Sequence, residues 1–268
     1  MTYAMGCLGH IPSVNDYRFP AGVVARAVGS IPSAVLDSIP AGRRRDQEDR
    51  NSCVGQSIID CLESEGEERG HLLDLSIAFG WWLGRDALGG TNENMGCFAR
   101  DMLDGMRVHG VPHAGLMPES TPYNVPPSKA ARANAINHRV TEYYAVSGAA
   151  EARVAIANGN PVAFAFVTYN NFHDERVRTT GMFPVPVGKM RGAHQVVAKG
   201  YDDTKVVPGW PAGAFLVKNW WGDWGIPHPV FASTAKVGYW WYPYAAFNDP
   251  QQTFGCWTIH GVPLLESI

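Results

Sequence analysis

No apolar run of about 18 residues occurs in the 268-residue chain, so the sequence offers no membrane-spanning helix. The first residues, MTYAMGCLGHIPSVNDYRFPAG, lack a basic segment followed by a continuous apolar run. No secretory signal is visible there, which favours the cytoplasm. Net charge is small: 22 Lys and Arg against 25 Asp and Glu leave −3, no electrostatic reason to expect a nucleic-acid partner. The one dense basic run, Arg43-Arg44-Arg45, is followed at once by Asp46, Glu48 and Asp49, and reads as a turn or a surface ion-pair cluster. Cysteine is sparse as well. The five, at 7, 53, 61, 97 and 256, form no CxxC pair, which gives no zinc-finger pattern and only a weak disulfide framework. At least one thiol is expected to be free unless it pairs with another chain. Glycine-rich phosphate loops and internal repeats are also missing.

What is present describes a globular chain with a sizeable core, 46% apolar and 18% charged, long enough for one large domain or two lobes. Residues 1–46 are divided by Pro12, Pro20, Pro32 and Pro40 and are expected to wrap the body of the protein as irregular chain. Helical periodicity then dominates 47–150, with helices expected over 53–64, 74–85, 94–109 and 147–159 and a proline-rich ordered loop over 110–128. From Pro161 the texture changes to β-rich segments, PVAFAFV, QVVAKGYD and AFLVKNW, so 151–268 is expected to be mainly strand. The segments between these strands do not read as crossover helices. The pattern is therefore α+β with segregated halves rather than a doubly wound parallel sheet.

Chemistry gathers at three places. Cys53 follows a polar Asn51-Ser52 pair and opens the apolar-periodic run Val54, Ile58, Ile59 and Leu62, which puts its thiol at a helix N-terminus. Unpaired backbone N–H groups and the helix dipole favour a thiolate there. On its own, Cys53 reads equally as a small buried hydrophobe. His194 begins one strand-like stretch, HQVVAKGYDD, and Asn219 ends another, GAFLVKNWWGDWG; singly these read as a core-edge histidine and a turn residue. Together the three supply what acyl transfer needs: a nucleophile, a base that can later protonate a leaving amine, and a carbonyl that fixes the base's tautomer. Gln47 adds a side-chain amide that, with the Cys53 N–H, can face an oxyanion.

These segments resemble the papain-like cysteine peptidases. DQEDRNSCVGQSI is similar to the family's glutamine–cysteine segment, HQVVAKGYDD to its histidine segment and LVKNWWGDWG to its asparagine segment, with Trp221 like the tryptophan that shields the Asn–His contact. GYWWYPYAAF, GHIPSVNDYRF and LSIAFGWWLGR resemble further stretches of bacterial members, and the likeness spans roughly residues 9–248. The resemblance implies a two-lobed fold, one lobe helical and the other an antiparallel β-barrel-like body, with the cleft between them. It further implies a cysteine endopeptidase acting on peptide or protein substrates, without metal or organic cofactor, with Cys53 as nucleophile, His194 as base, Asn219 as orienting group and Gln47 in the oxyanion role. An amidase or transpeptidase would use the same residues, and a noncatalytic peptide-binding descendant would keep only the cleft.

Several positions depart from the family pattern. Val54 replaces the tryptophan after the nucleophile, and Arg50 stands where many members have a cysteine, so Cys97 is expected to lack that disulfide partner. Trp220 replaces the serine after the asparagine, and the turn to Trp224 is one residue shorter than in papain. With 46 residues before Gln47, a full helical inhibitory prodomain does not fit, and control is expected through location, substrate access or a regulatory or inhibitory protein partner. The family reads substrate through an apolar pocket between the lobes. Tyr169, Asn170 and Phe172 are candidates for its wall, and equally plain surface-loop residues.

Overall fold

The computed structural model describes residues 4–9, 13, 16–20, 31–231 and 238–260. Its central element is helix α1, Cys53–Glu68, with Ser52 at the N-cap position. Val54, Ile58, Ile59 and Leu62 are fully buried, as their helical spacing requires. The helix outlasts the expected end at 64, and its C-cap residue Arg69 pairs with Glu65 in the acidic last turn. Gly70, at φ +82°, then breaks it. Helices α2, Ile77–Asp86, and α3, Ala99–His109, pack around α1, and α2 starts where the Ser76 hydroxyl accepts from the Phe79 amide. A short helix α4, Lys129–Ala135, completes this helical half.

Among the described residues five strands follow helix α5, Gly148–Ala157, and two precede it. In chain order they are β1 (Ala34–Val35), β2 (Glu142–Ala145), β3 (Val162–Tyr169), β4 (Met190–Asp202), β5 (Ala214–Lys218), β6 (Tyr239–Pro243) and β7 (Thr253–His260). Two one-turn helices interrupt them, α6 at Glu175–Thr180 and α7 at Tyr244–Phe247, the first in a stretch whose sequence gives no helical signal. Among the described residues one antiparallel sheet results, in the order β2-β7-β3-β4-β5-β6, with β1 also on β4. This corrects the barrel-like expectation: the sheet is open. Closure would need β2 hydrogen-bonded to β6, whereas single bridges occupy those edges, Arg18 with Ala145 on β2 and Met182 with Trp241 and Ile226 with Tyr239 on β6. The two-lobed α+β arrangement itself stands, helices on one side and sheet on the other.

Strand alternation explains how the lobes join. Ala163 and Val197 face the helical cluster around α1, while Phe164, Val196 and Ala198, one residue away on the same strands, face a second, aromatic-rich core with Trp240 and Tyr242. Charge also crosses the junction. Asp60, two turns after Cys53 on α1, lies 2.7 Å from Lys199 of β4 and 2.5 Å from Lys218 of β5, and all three side chains are at most 2% exposed. Lys199 further donates to the Ser64 hydroxyl and the Pro40 carbonyl. Gly42, at φ +67°, crosses directly above, where a Cβ would stand 2.6 Å from the Lys218 ammonium. Burial alone would raise the Asp60 pKa, but Lys199, Lys218 and Arg45 bring it from the ordinary 3.8 down to about 2. Among the described residues no helix is long and apolar enough to cross a membrane.

Asp60→Asn leaves two buried ammonium groups without their counter-ion and is expected to destabilise the fold by about 3–5 kcal/mol in urea unfolding at pH 7. A depressed carboxylate contributes its stability above its unfolded pKa and loses it as pH falls through its folded one. The wild type should therefore shed this contribution between about pH 4 and pH 2, and the variant should lack that part of the acid profile.

Candidate active site

The segments read from the sequence meet where α1 abuts β4 and the chain leaving β5. His194 lies on β4, paired across to Phe166 of β3, and is fully buried. Its Nε2 is 2.7 Å from Asn219 Oδ1, and that oxygen also accepts from the Trp220 amide at 2.8 Å. An atom accepting from an amide is the carbonyl oxygen, so Nε2 carries the proton and donates, and Nδ1 is the nitrogen with the lone pair. Nδ1 is buried and has no partner among the described residues. Trp221 stacks on the imidazole at 4.5 Å with an interplanar angle of 22°, and Phe166 meets it edge-on. Asn219 is held in turn by its own amide, which donates to the Gly238 carbonyl at 2.8 Å.

Cys53 is the first residue of α1 and is fully buried. Its helix packs against β4, the histidine's strand. No hydrogen bond links Sγ to His194. Instead the Gly6 amide donates to Sγ at 3.2 Å. Gln47 is placed by its own amide, which donates to the Trp220 carbonyl at 2.8 Å, and its Nε2 donates to the carbonyls of Arg50 and Ala4. His194 and Asn219 thus form one unit. Cys53 and Gln47 border it, and both are occupied by the segment around residues 4–8.

That strap was not legible in the sequence. The Cys97 amide donates to the Gly6 carbonyl and the Leu8 amide to the Cys97 carbonyl, pairing Cys7 with Cys97 as a parallel bridge. The Met5 amide donates to Asn51 Oδ1. Contact at Gly6 is so close that a Cβ would lie 1.8 Å from the Asn51 carbonyl oxygen. All five cysteines are free thiols. Under the strap the electrostatics run against the sequence expectation of a thiolate. Burial pushes the Cys53 thiol up to about 11, although the Gln195 and Gly6 amides pull the other way. Burial likewise draws His194 down to about 3, against the contribution of Asn219. Helix N-terminal position loses to desolvation here, and the strapped state holds a thiol and a neutral imidazole at neutral pH.

Of the proposed pocket residues, Phe172 sits in the aromatic core against Phe166, Trp224 and Trp240 rather than in a cleft wall. Tyr169 is half-buried and Asn170 exposed. Among the described residues no three His, Cys, Asp or Glu side chains converge as a metal site.

No family model matches the chain, and neither does any curated protein. Solved structures do. Xylellain, a cysteine protease from Xylella fastidiosa, is 22% identical over 97% of both chains with a TM-score of 0.80. A procathepsin B from Trypanosoma congolense is 15% identical over 97% of this chain and 85% of its own, at 0.70. The cysteine protease and lectin-like domains of a surface layer associated protein from Clostridium difficile are 16% identical over 97% of this chain and 56% of theirs, at 0.68. At these identities the likeness is one of fold: the chain has the papain-like cysteine peptidase fold.

Gly6→Val cannot be seated against Asn51 and is expected to displace the strap. Iodoacetamide alkylation of Cys53, followed by intact mass, should then be at least about tenfold faster at pH 7, because a rehydrated thiol regains thiolate that a pKa near 11 denies it. The wild-type rate should keep climbing toward pH 11, while the variant's should level off at lower pH.

Proposed function

We propose that the protein is a cysteine endopeptidase that hydrolyses peptide bonds through a Cys53 acyl-thioester. The observation that carries this is the His194–Asn219 pair: a 2.7 Å hydrogen bond fixes the imidazole with its lone pair on Nδ1, on the strand against which the Cys53 helix packs. With the strap displaced, His194 Nδ1 takes the Cys53 proton, and the thiolate attacks the scissile carbonyl. The Gln47 Nε2 and the Cys53 N–H face the developing oxyanion. Gln47 Nε2 now donates to the Ala4 carbonyl at 3.1 Å, which supports reading it as an oxyanion donor. His194 protonates the departing amine, leaving a thioester, and then activates water to release the acid and regenerate the thiol. Asn219 holds the ring through both halves, and Trp221, stacked on it, limits water at their contact. The fold shared with cysteine proteases supports the same reading.

Kinetics on a peptide substrate test it, in a Gly6→Val background so that the strap does not limit the rate. Cys53→Ala should abolish turnover. Gln47→Ala should lower kcat about 10²–10³-fold, and His194→Ala about 10²–10⁴-fold. Undiminished hydrolysis in the Cys53 variant would refute the assignment.

A further inference from the structure

The strap also shows what the cleft accepts. Residues 6–8 dock on Cys97 by two main-chain hydrogen bonds, the way an extended peptide adds to an exposed backbone edge, where alternate side chains enter pockets. The side chain so placed is Cys7, half-buried, whose Sγ lies 3.5 Å from Oε1 of Gln195. Gln195 is an unusual wall for such a pocket. It is fully buried, its main-chain carbonyl accepts from Trp220 Nε1 at 2.9 Å, and its side-chain Nε2, the other half of the amide facing Cys7, has no partner among the described residues. A thiol is a weak donor and a weak acceptor, so it leaves that amide largely unanswered.

We propose that Gln195 is a specificity-determining residue: the pocket now filled by Cys7 selects a small hydroxyl or carboxamide side chain, serine, threonine or asparagine, at the substrate position that docks on Cys97. The inference rests on the peptidase reading, in which substrate replaces the strap on the same edge. A hydroxyl can donate to Oε1 and accept from Nε2 at once, while a carboxamide can pair with both. An aliphatic side chain would bury the amide with both valences unmet, which is the costly outcome. This departs from the apolar pocket that the family resemblance implies.

The strap itself provides the test, with no substrate needed. Threonine and valine have the same shape and differ by a hydroxyl for a methyl. Cys7→Thr and Cys7→Val are made in the full chain, and strap seating is read as the rate of Cys53 alkylation by iodoacetamide at pH 8. Protection should be at least about tenfold stronger in Cys7→Thr than in Cys7→Val. Adding Gln195→Leu, or Gln195→Met should the leucine variant not fold, should erase or reverse that order. Equal protection by the two, or an order that survives loss of the amide, would overturn the proposal. Peptides carrying Thr or Val at the matching position then separate the two claims in the Gly6→Val protein. Hydrolysis without a threonine preference overturns the pocket and leaves the peptidase. No hydrolysis, with the Cys7 order intact, supports the pocket chemistry and contradicts the peptidase.

Discussion

One buried carboxylate holds together the three elements on which everything else stands. Asp60 rises from the helix that begins with Cys53 and meets Lys199 from the strand of His194 and Lys218 from the residue before Asn219. Two cations against one anion, all out of water, is a costly arrangement, and burial brings Lys218 down to about 7 even with Asp60 beside it. An apolar trio would fill the same space without that cost. Ion pairs, however, are directional: the helix can neither slide nor rotate against β4 and β5 without breaking them. That constraint fixes the position of Cys53 relative to the histidine and asparagine strands more sharply than the apolar packing of Val197 and Trp220 alone could do.

On that frame the strap covers the candidate site. A Gly6 amide sits on the Cys53 sulfur, an Ala4 carbonyl on Gln47, and nothing among the described residues on His194 Nδ1. Covering a site by a peptide segment replaces water with main-chain dipoles, and for a thiol of ordinary acidity the loss of water dominates. On the proposed reading, the same groups reopened to solvent and substrate would carry out acyl transfer. Regulation and recognition would then share one surface, since on the proposed reading strap and substrate compete for the Cys97 edge.

Much of the framework could be read in advance, for physical reasons that are easy to state. Helix α1 announces itself because a polar pair precedes an unbroken 3.6-residue apolar period, and β3, β4 and β5 because runs such as VAFAFV and AFLVK have few other stable states. Sheet closure was not readable: whether β2 meets β6 depends on twist and edge occupancy, which no local pattern encodes, and the barrel expectation failed there. Strands β2 and β7 were missed because their mixed polar and apolar residues suit a half-covered sheet edge as well as a loop. The residues 53, 194 and 219 stood out through chemistry and motif, but the strap did not, because Ala4, Met5, Gly6 and Leu8 hold it through backbone groups. Lys199 and Lys218 were a signal left unused: lysines inside otherwise apolar strands require a buried anion, and Asp60, seven residues from Cys53 on the same helix face, was available.

The central claim is a covalent thioester on Cys53, and the most direct measurement is to catch it. The Gly6→Val protein is mixed with a peptide substrate, quenched in acid within milliseconds, and weighed intact. The account predicts a transient gain equal to the acyl half of the peptide, localised to Cys53 and discharged by hydroxylamine. Cleavage of the peptide with no adduct on Cys53 at any time, or binding of the peptide without cleavage, would contradict it.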